Sequence, residues 1–288
     1  MHRLALFLGL FFSVAISFAA VETLPISLSS PQGWCTKAAA QALTEFRAHA
    51  PSDTNALLES LISTGQALEL ADETTEAARL YGQAIMLARS QIQNTGTNKE
   101  ASLRSYIQSL IHLGGVAYDK THYEEAEKLC HSAVEAARLT LPEKDLLVKI
   151  ARNRYALALG QRYQPEQRRA LYLSLEASCV KAFGKRHEET ALVLDELAAI
   201  AMITSDYKQA ASYAAEALKI RRRLLSTNHP RLADSINHLA SVDFARNNRS
   251  DMVPLLKEAL KIRTEAFGPD HPKTALSRKN LELFGSVK

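Results

Sequence analysis

The chain has 288 residues, a net charge of +4, and only 11 glycines and 9 prolines. So few turn-forming residues argue against a fold of many strands and turns, and the abundance of Ala, Leu, Glu, Lys, Arg and Gln favours helix. Acidic and basic residues are interspersed throughout, so the composition gives no indication of nucleic-acid binding. An all-α fold is the first expectation.

The N-terminal residues have the pattern of a secretory signal peptide. Arg3 precedes the apolar run Leu4–Phe12, and small residues lead to a cleavage point after Ala19. We therefore predict a signal peptide at 1–19 and an exported protein, either periplasmic or secreted. The alternative is a retained membrane anchor, because the segment 4–21 is almost as long as the roughly 20 residues that a membrane-spanning helix needs. No later stretch is predicted to span a membrane.

Two segments separate the signal peptide from the remainder. Residues 20–33 lack hydrophobic periodicity and are predicted to form a linker. Residues 34–50 fit one amphipathic helix, which we expect to cap the first of the units that follow. Its expected apolar contacts are Trp34, Ala38, Leu43 and Phe46.

From about residue 53 the sequence repeats with a period of 42 residues. His187, His229 and His271 keep this interval within the similar segments FGKRHEETA, LSTNHPRLA and FGPDHPKTA. A fixed period of this length indicates a stack of similar units. The predicted copies are about 53–93, 100–141, 143–183, 187–225 and 229–267, with a capping helix at 271–284.

Two copies depart from the regular interval. The first copy fits at 49 residues because its loop around Asn94–Gly96 is longer. In the third copy we expect two residues to be inserted near Gln164 and Pro165, since only then does Ala170 align with Ala126.

Each copy contains two segments with apolar residues at helical spacing. In the fourth copy, Leu194, Leu197, Ala198 and Ala201 follow the positions i, i+3, i+4 and i+7, and a second such set begins at Tyr207. Small residues also recur at one position of each helix, where paired helices approach closely. The two small-residue columns are Gly65, Gly114, Ala156, Ala198 and Ala240, and Ala77, Ala126, Ala170 and Ala210.

These helix pairs resemble tetratricopeptide repeats, and the 42-residue spacing resembles the longer variant found in kinesin light chain. The resemblance covers about residues 53–284. It implies an all-α, right-handed α-solenoid of antiparallel helix pairs, with about five repeats and a capping helix at each end. It also implies a concave surface, formed by the first helix of each pair, on which related proteins bind peptide segments.

Polar residues recur on the first helices in two neighbouring columns. The predicted peptide groove consists of His112, Asn153, Arg154, Asp195, Glu196, Asn237, His238 and Asn280. Because polar groups buried without partners cost free energy, we expect this surface to face water or a ligand. The predicted function is a non-catalytic scaffold that binds a protein or peptide partner. A solvated face without a ligand is the alternative for the columns, and self-association is the alternative for the function.

No catalytic, metal or cofactor site is predicted. His187 lacks the second histidine that a zinc-binding helix requires, and the three periodic histidines are expected at helix starts, two of them directly before proline. Of the three cysteines, Cys130 is expected in the core and Cys35 is expected to be the most exposed. A disulfide between Cys130 and Cys179 is disfavoured by their offset along neighbouring helices.

Overall fold

The computed structural model describes residues 32–48, 53–93 and 99–285, and this part of the chain forms helices and no strand. The helices are α1 (Trp34–Ala48), α2 (Thr54–Leu70), α3 (Thr74–Gln93), α4 (Lys99–Asp119), α5 (Tyr123–Thr140), α6 (Leu146–Gly160), α7 (Pro165–Phe183), α8 (Glu188–Ile203), α9 (Tyr207–Leu224), α10 (Pro230–Ala245), α11 (Arg249–Phe267) and α12 (Pro272–Gly285). Consecutive helices pack against each other along the chain. The predicted all-α solenoid of helix pairs is confirmed.

Part of the prediction lies outside the described residues, namely the signal peptide at 1–19 and the linker up to residue 31. Within the described ranges, none of the helices combines the length and the apolar character needed to cross a bilayer.

The helix starts follow the 42-residue period. The second helices of four pairs begin at Tyr123, Pro165, Tyr207 and Arg249, and the first helices at Leu146, Glu188, Pro230 and Pro272. The expected insertion near Gln164 and Pro165 is therefore wrong, because α7 begins 42 residues after α5. In this register Tyr172 takes the position of Cys130, and Ala170 is exposed.

The three periodic histidines begin helices, as expected. In His187, His229 and His271, Nδ1 accepts a hydrogen bond of 3.2 Å from the backbone N–H two residues later. The rings of His187 and His271 also stack on Phe183 and Phe267, with centroids 4.7 and 4.5 Å apart. Each ring thus satisfies a helix N–H that would otherwise lack a partner.

Four of the five turns within helix pairs share one geometry, and the turn between α6 and α7 differs. Asp72, Thr121, Ser205 and Asn247 have φ between 57° and 69°, the left-handed region. The next residue's N–H then bonds to a carbonyl in the last turn of the first helix, as in the 2.8 Å bond from Asp206 to Ala201. This is the Schellman arrangement, which satisfies carbonyl groups at the end of the first helix.

The pairs are packed closely enough to require glycine in places. A Cβ atom on Gly65 would lie 2.6 Å from the ring of Tyr81, and one on Gly160 would lie 2.4 Å from the ring of Tyr172. Both tyrosines are fully buried. A buried tyrosine ring on the second helix therefore requires a glycine at the facing position of the first helix.

The first helix, α1, packs on α2 with an apolar face whose fully buried members are Cys35, Ala39 and Leu43. Ala38, expected among these contacts, is exposed. Cys35 is only 1% exposed, so the expectation that it is the most accessible cysteine is wrong. It is covered because α1 also packs on α11.

The solenoid completes a full turn, so that its beginning meets its end. Ala266 and Phe267 at the end of α11 belong to the same apolar core as Cys35 and Ala39 of α1. The Gln32 amide donates to the Asp270 carboxylate at 2.8 Å. We call this contact of α1 and α2 with α10, α11 and α12 the seam. Because the seam closes the turn, the concave surface is enclosed by the chain itself.

Candidate peptide-binding face

The predicted groove residues lie on the first helices of successive pairs, one level per repeat. We call His112, Arg154, Glu196, His238 and Asn280 the first column, and Asn153, Asp195 and Asn237 the second column. They are carried by α4, α6, α8, α10 and α12.

Asn153 of the second column lies in the interior. It is 2% exposed, its amide nitrogen donates to the Glu189 carboxylate, and its amide oxygen accepts from the Cys179 thiol at 3.1 Å. Because its polar atoms already have partners, burial is tolerated. Asn153 thus joins α6 to α7 and α8, and it does not reach the groove in which the sequence placed it.

Asp195 occupies the equivalent position one repeat later and pairs with Arg221, which stands where Cys179 stands in the preceding copy. The Arg221 guanidinium also donates to Glu188 at 3.1 Å and to Ser235 at 2.6 Å. Burial works to raise the pKa of Asp195, but the nearby His238 imidazole and the Arg221 charge outweigh it and hold the pKa below its usual range. The ionised form of the Asp195 side chain is therefore favoured.

The next repeat contains a second arginine of this kind. Arg263 lies 42 residues after Arg221 and donates to Ser277 at 2.9 Å and to Asp234 at 2.8 Å. Both arginines are buried, and the sequence prediction missed them. The available signal was the repeated ALKIR segment, in which an arginine stands on the apolar face of an amphipathic helix. Asn153, Asp195 and these arginines together join neighbouring pairs.

The first column begins with His112, which stacks on Tyr81 with ring centroids 5.1 Å apart. Its Nδ1 lies 3.4 Å from Glu69, and Gln66 lies 2.9 Å from its Nε2. Glu69 also accepts from the Tyr81 hydroxyl at 2.8 Å. Burial works to raise the pKa of Glu69, yet the His112 and Tyr81 hydrogen bonds and the charges of His112 and Arg231 bring it below its usual range.

Arg154 and Glu196 are also occupied by neighbouring side chains. Arg154 forms a forked pair with the buried Glu189, with nitrogen–oxygen distances of 2.8 and 3.1 Å. Glu196 accepts from Gln161 at 3.0 Å, and burial raises its pKa. Such charge-assisted bonds are strong when desolvated. These two residues therefore stabilise the stack and have little left to offer a partner.

The accessible part of the first column is its C-terminal end. The His238 side chain is 61% exposed and lies 3.8 Å from the Asp195 carboxylate, which raises the pKa of the imidazole. Asn280 on α12 is half-buried. Ile203, the last residue of α8, is also exposed, at 62%.

The geometry defines the class of protein: an α-solenoid of helix pairs with a polar inner face. Residues 190–231 and 232–273 each match the family model of the tetratricopeptide repeat. Each match is 42 residues long, the period found in the sequence. The identification of tetratricopeptide repeats is therefore confirmed for these residues. A comparison with curated proteins finds none that matches.

Three solved structures illustrate what the chain is similar to. BtubC (BKLC) from P. vanneervenii is 17% identical over 80% of this chain and 88% of that chain, with a TM-score of 0.48. A Rap protein complexed with Competence and Sporulation Factor is 12% identical over 87% and 74%, with a TM-score of 0.49. YrrB, a tetratricopeptide repeat protein with an unusual peptide-binding site, is 16% identical over 84% and 98%, with a TM-score of 0.34.

Proposed function

We propose that this protein is an exported, non-catalytic interaction scaffold that binds a peptide segment of a partner protein on its inner face. The N-terminal pattern of charge, apolar run and small residues supports export. The repeat architecture supports binding, because stacked helix pairs present one continuous surface to an extended ligand.

One observation carries the proposal: the inner face is divided into paired and accessible residues. Arg154 and Glu196 are bonded to the scaffold, whereas His238 on α10 and Ile203 at the end of α8 are largely exposed. Accessible polar and apolar groups together match a peptide, which offers both backbone polar groups and apolar side chains. The binding region is therefore proposed around α8, α10 and α12.

The test begins with selection of ligands from a random peptide display library by the chain from residue 20 onward. Affinities of the selected peptides are then measured by calorimetry. His238→Ala combined with Asn280→Ala is expected to weaken binding at least about tenfold, as loss of central contacts does. Lys219→Ala is the control, since Lys219 lies on α9 and pairs with Glu216 on its own helix. Equal affinity for the wild type and the double variant would refute the inner-face site.

Export is tested separately. The mature protein is recovered from culture fractions, and its N-terminal residue is determined by mass spectrometry. A start at Ala20 in a periplasmic or medium fraction supports cleavage of the signal peptide, and an intact N-terminus in a membrane fraction supports the retained anchor instead.

A second candidate function is self-association through α12. Leu276 and Leu283 on this last helix are both 53% exposed, and they are spaced to lie on one helix face. Sedimentation of the wild type and of Leu276→Gln with Leu283→Gln decides the point. A monomer in both cases removes this candidate.

A further inference from the structure

The seam is held differently from the contacts between neighbouring pairs. Neighbouring pairs pack through apolar faces along their full length, whereas the seam joins helices that are far apart in sequence at their ends. Its apolar part is limited to α1 against the end of α11, where Gly33 and Ala266 approach so closely that a Cβ on Gly33 would overlap the Ala266 carbonyl. The rest of the seam is polar.

Two ion pairs line the polar part. Glu69 at the end of α2 meets Arg231 at the start of α10 with 3.3 Å between oxygen and nitrogen. Asp72 in the following turn meets Lys273 at the start of α12 at 2.9 Å. Both acids thus lie on the α2 side of the seam, and both bases lie on the side formed by α10 and α12.

The bases of these two pairs are more accessible to solvent than the acids. The side chains of Arg231 and Lys273 are 47% and 34% exposed, and those of Glu69 and Asp72 are 18% and 30% exposed, in contrast to the 6% of Arg221. Exposed ion pairs contribute little net stability in water, and salt weakens them further. The polar part of the seam can therefore separate without exposing the buried network that fastens the repeats.

Separation of the two sides of the seam would also free binding groups on the inner face. Glu69 keeps its bonds to His112 and Tyr81 after losing Arg231, so it stays in place as an acceptor. On the opposite side of the seam, Lys273 would be released as a donor, and Arg231 would keep only its 3.9 Å contact with Glu188. A partner segment that carries both a base and an acid can replace the two lost pairs.

We propose that the seam is a salt-sensitive gate, which opens to admit a partner segment of mixed charge to the inner face and closes again around it. The existence of a ligand rests on the proposed function, but the opening of the gate is measured without one. The two ideas can therefore fail independently.

The experiment measures a distance across the seam. Spin labels are attached to Thr75→Cys on α3 and Lys279→Cys on α12, two exposed positions outside the seam pairs. The native cysteines are buried and are not expected to be labelled. Pulsed dipolar spectroscopy at low and high sodium chloride then reports the distance distribution, and circular dichroism verifies that the helices are intact.

At low salt a single narrow distance is expected. High salt, or Arg231→Glu with Lys273→Glu, should add a population at longer distance while helix content stays constant. Lys273→Asp should open the seam, and Asp72→Lys with Lys273→Asp should close it again because the pair is restored in reverse.

The matched control is Lys128→Glu with Lys219→Glu. It changes the net charge equally but affects only exposed pairs within single helices. This variant should keep the narrow distance at low salt. A distribution that stays narrow in the seam variant and at high salt, or that broadens equally in the control, would overturn the gate.

Discussion

Arg231 and Glu69 form an ion pair across the seam, although 162 residues separate them in the sequence. Repeat proteins are usually held by contacts between neighbours alone, so that stability is close to a sum over repeats and their interfaces. Here the first and last repeats also stabilise each other. The seam therefore makes the ends of the solenoid depend on one another.

The buried arginines are expected to be the strongest polar contributors to stability. Arg221→Met leaves Asp195 and Glu188 without their shared cation, and removing one member of a buried pair costs about 3–5 kcal/mol. Arg222→Met next to it breaks only the exposed pair with Glu258 and should cost about 1 kcal/mol or less. Urea unfolding of the two variants gives the comparison, and equal losses would contradict the buried network.

A small change at Gly65 should be harmful. Gly65→Ala places a methyl group against the buried ring of Tyr81, and overpacking of this kind costs about 1–3 kcal/mol, reduced by the better helix propensity of alanine. Gly82→Ala is the control, since no atom lies within 4 Å of its added Cβ, and it should stabilise by about 0.5–1 kcal/mol. Thermal unfolding distinguishes the two, and stabilisation by both substitutions would show that the ring moves freely.

The helix-starting histidines should make stability depend on pH. Burial lowers the pKa of His229 and of His271, and their Nδ1 atoms must be unprotonated to accept the helix N–H. Their contribution is present above the unfolded-state pKa and is lost as the pH falls through it toward the lower folded-state value. His229→Asn with His271→Asn should therefore reduce the loss of unfolding free energy between about pH 7 and pH 5.

The control for this pH effect is His122→Asn, because His122 precedes α5 without making a side-chain cap bond. His238, whose pKa is raised, acts in the opposite direction and is unchanged in all these variants. The prediction fails if denaturant titrations give the double variant and the wild type the same pH slope.

The cysteines should be unreactive in the folded protein. Cys35, Cys130 and Cys179 are free and buried, and burial raises the pKa of each thiol to about 12. Since the thiolate is the reactive form, a chromogenic disulfide at mildly alkaline pH should react only after unfolding in concentrated guanidinium. Rapid reaction of one thiol in the native state would indicate that α1 leaves the seam.

The period of the sequence was enough to predict the helix pairs. His187, His229 and His271 mark helix starts because each ring caps a helix, and this local requirement is visible in the chain. The third copy was misaligned because Ala170 was matched to Ala126 by residue type. The structure instead keeps the interval and places Tyr172 opposite Gly160, where the missing side chain makes room for the ring.

The polar columns could be located from sequence, but their partners could not. The sequence predicts Asn153 and Asp195 in the groove, because nothing in the chain shows that Cys179 and Arg221 lie against them. The seam was beyond prediction for a related reason. Whether the two ends meet depends on the small rotation from each repeat to the next, summed over the whole solenoid. A repeat period in the sequence indicates only which helices are neighbours.

The ion pair between Glu69 and Arg231 also limits how this sequence can change by duplication. Repeat arrays commonly gain or lose whole units, because an added unit finds suitable neighbours on both sides. In this protein an extra 42-residue unit between α2 and α10 would fold into the stack. It would also move Arg231 away from Glu69, so that the ion pair could not form. Contact across the seam therefore depends on the number of repeats. An array one repeat longer or shorter would lose this contact.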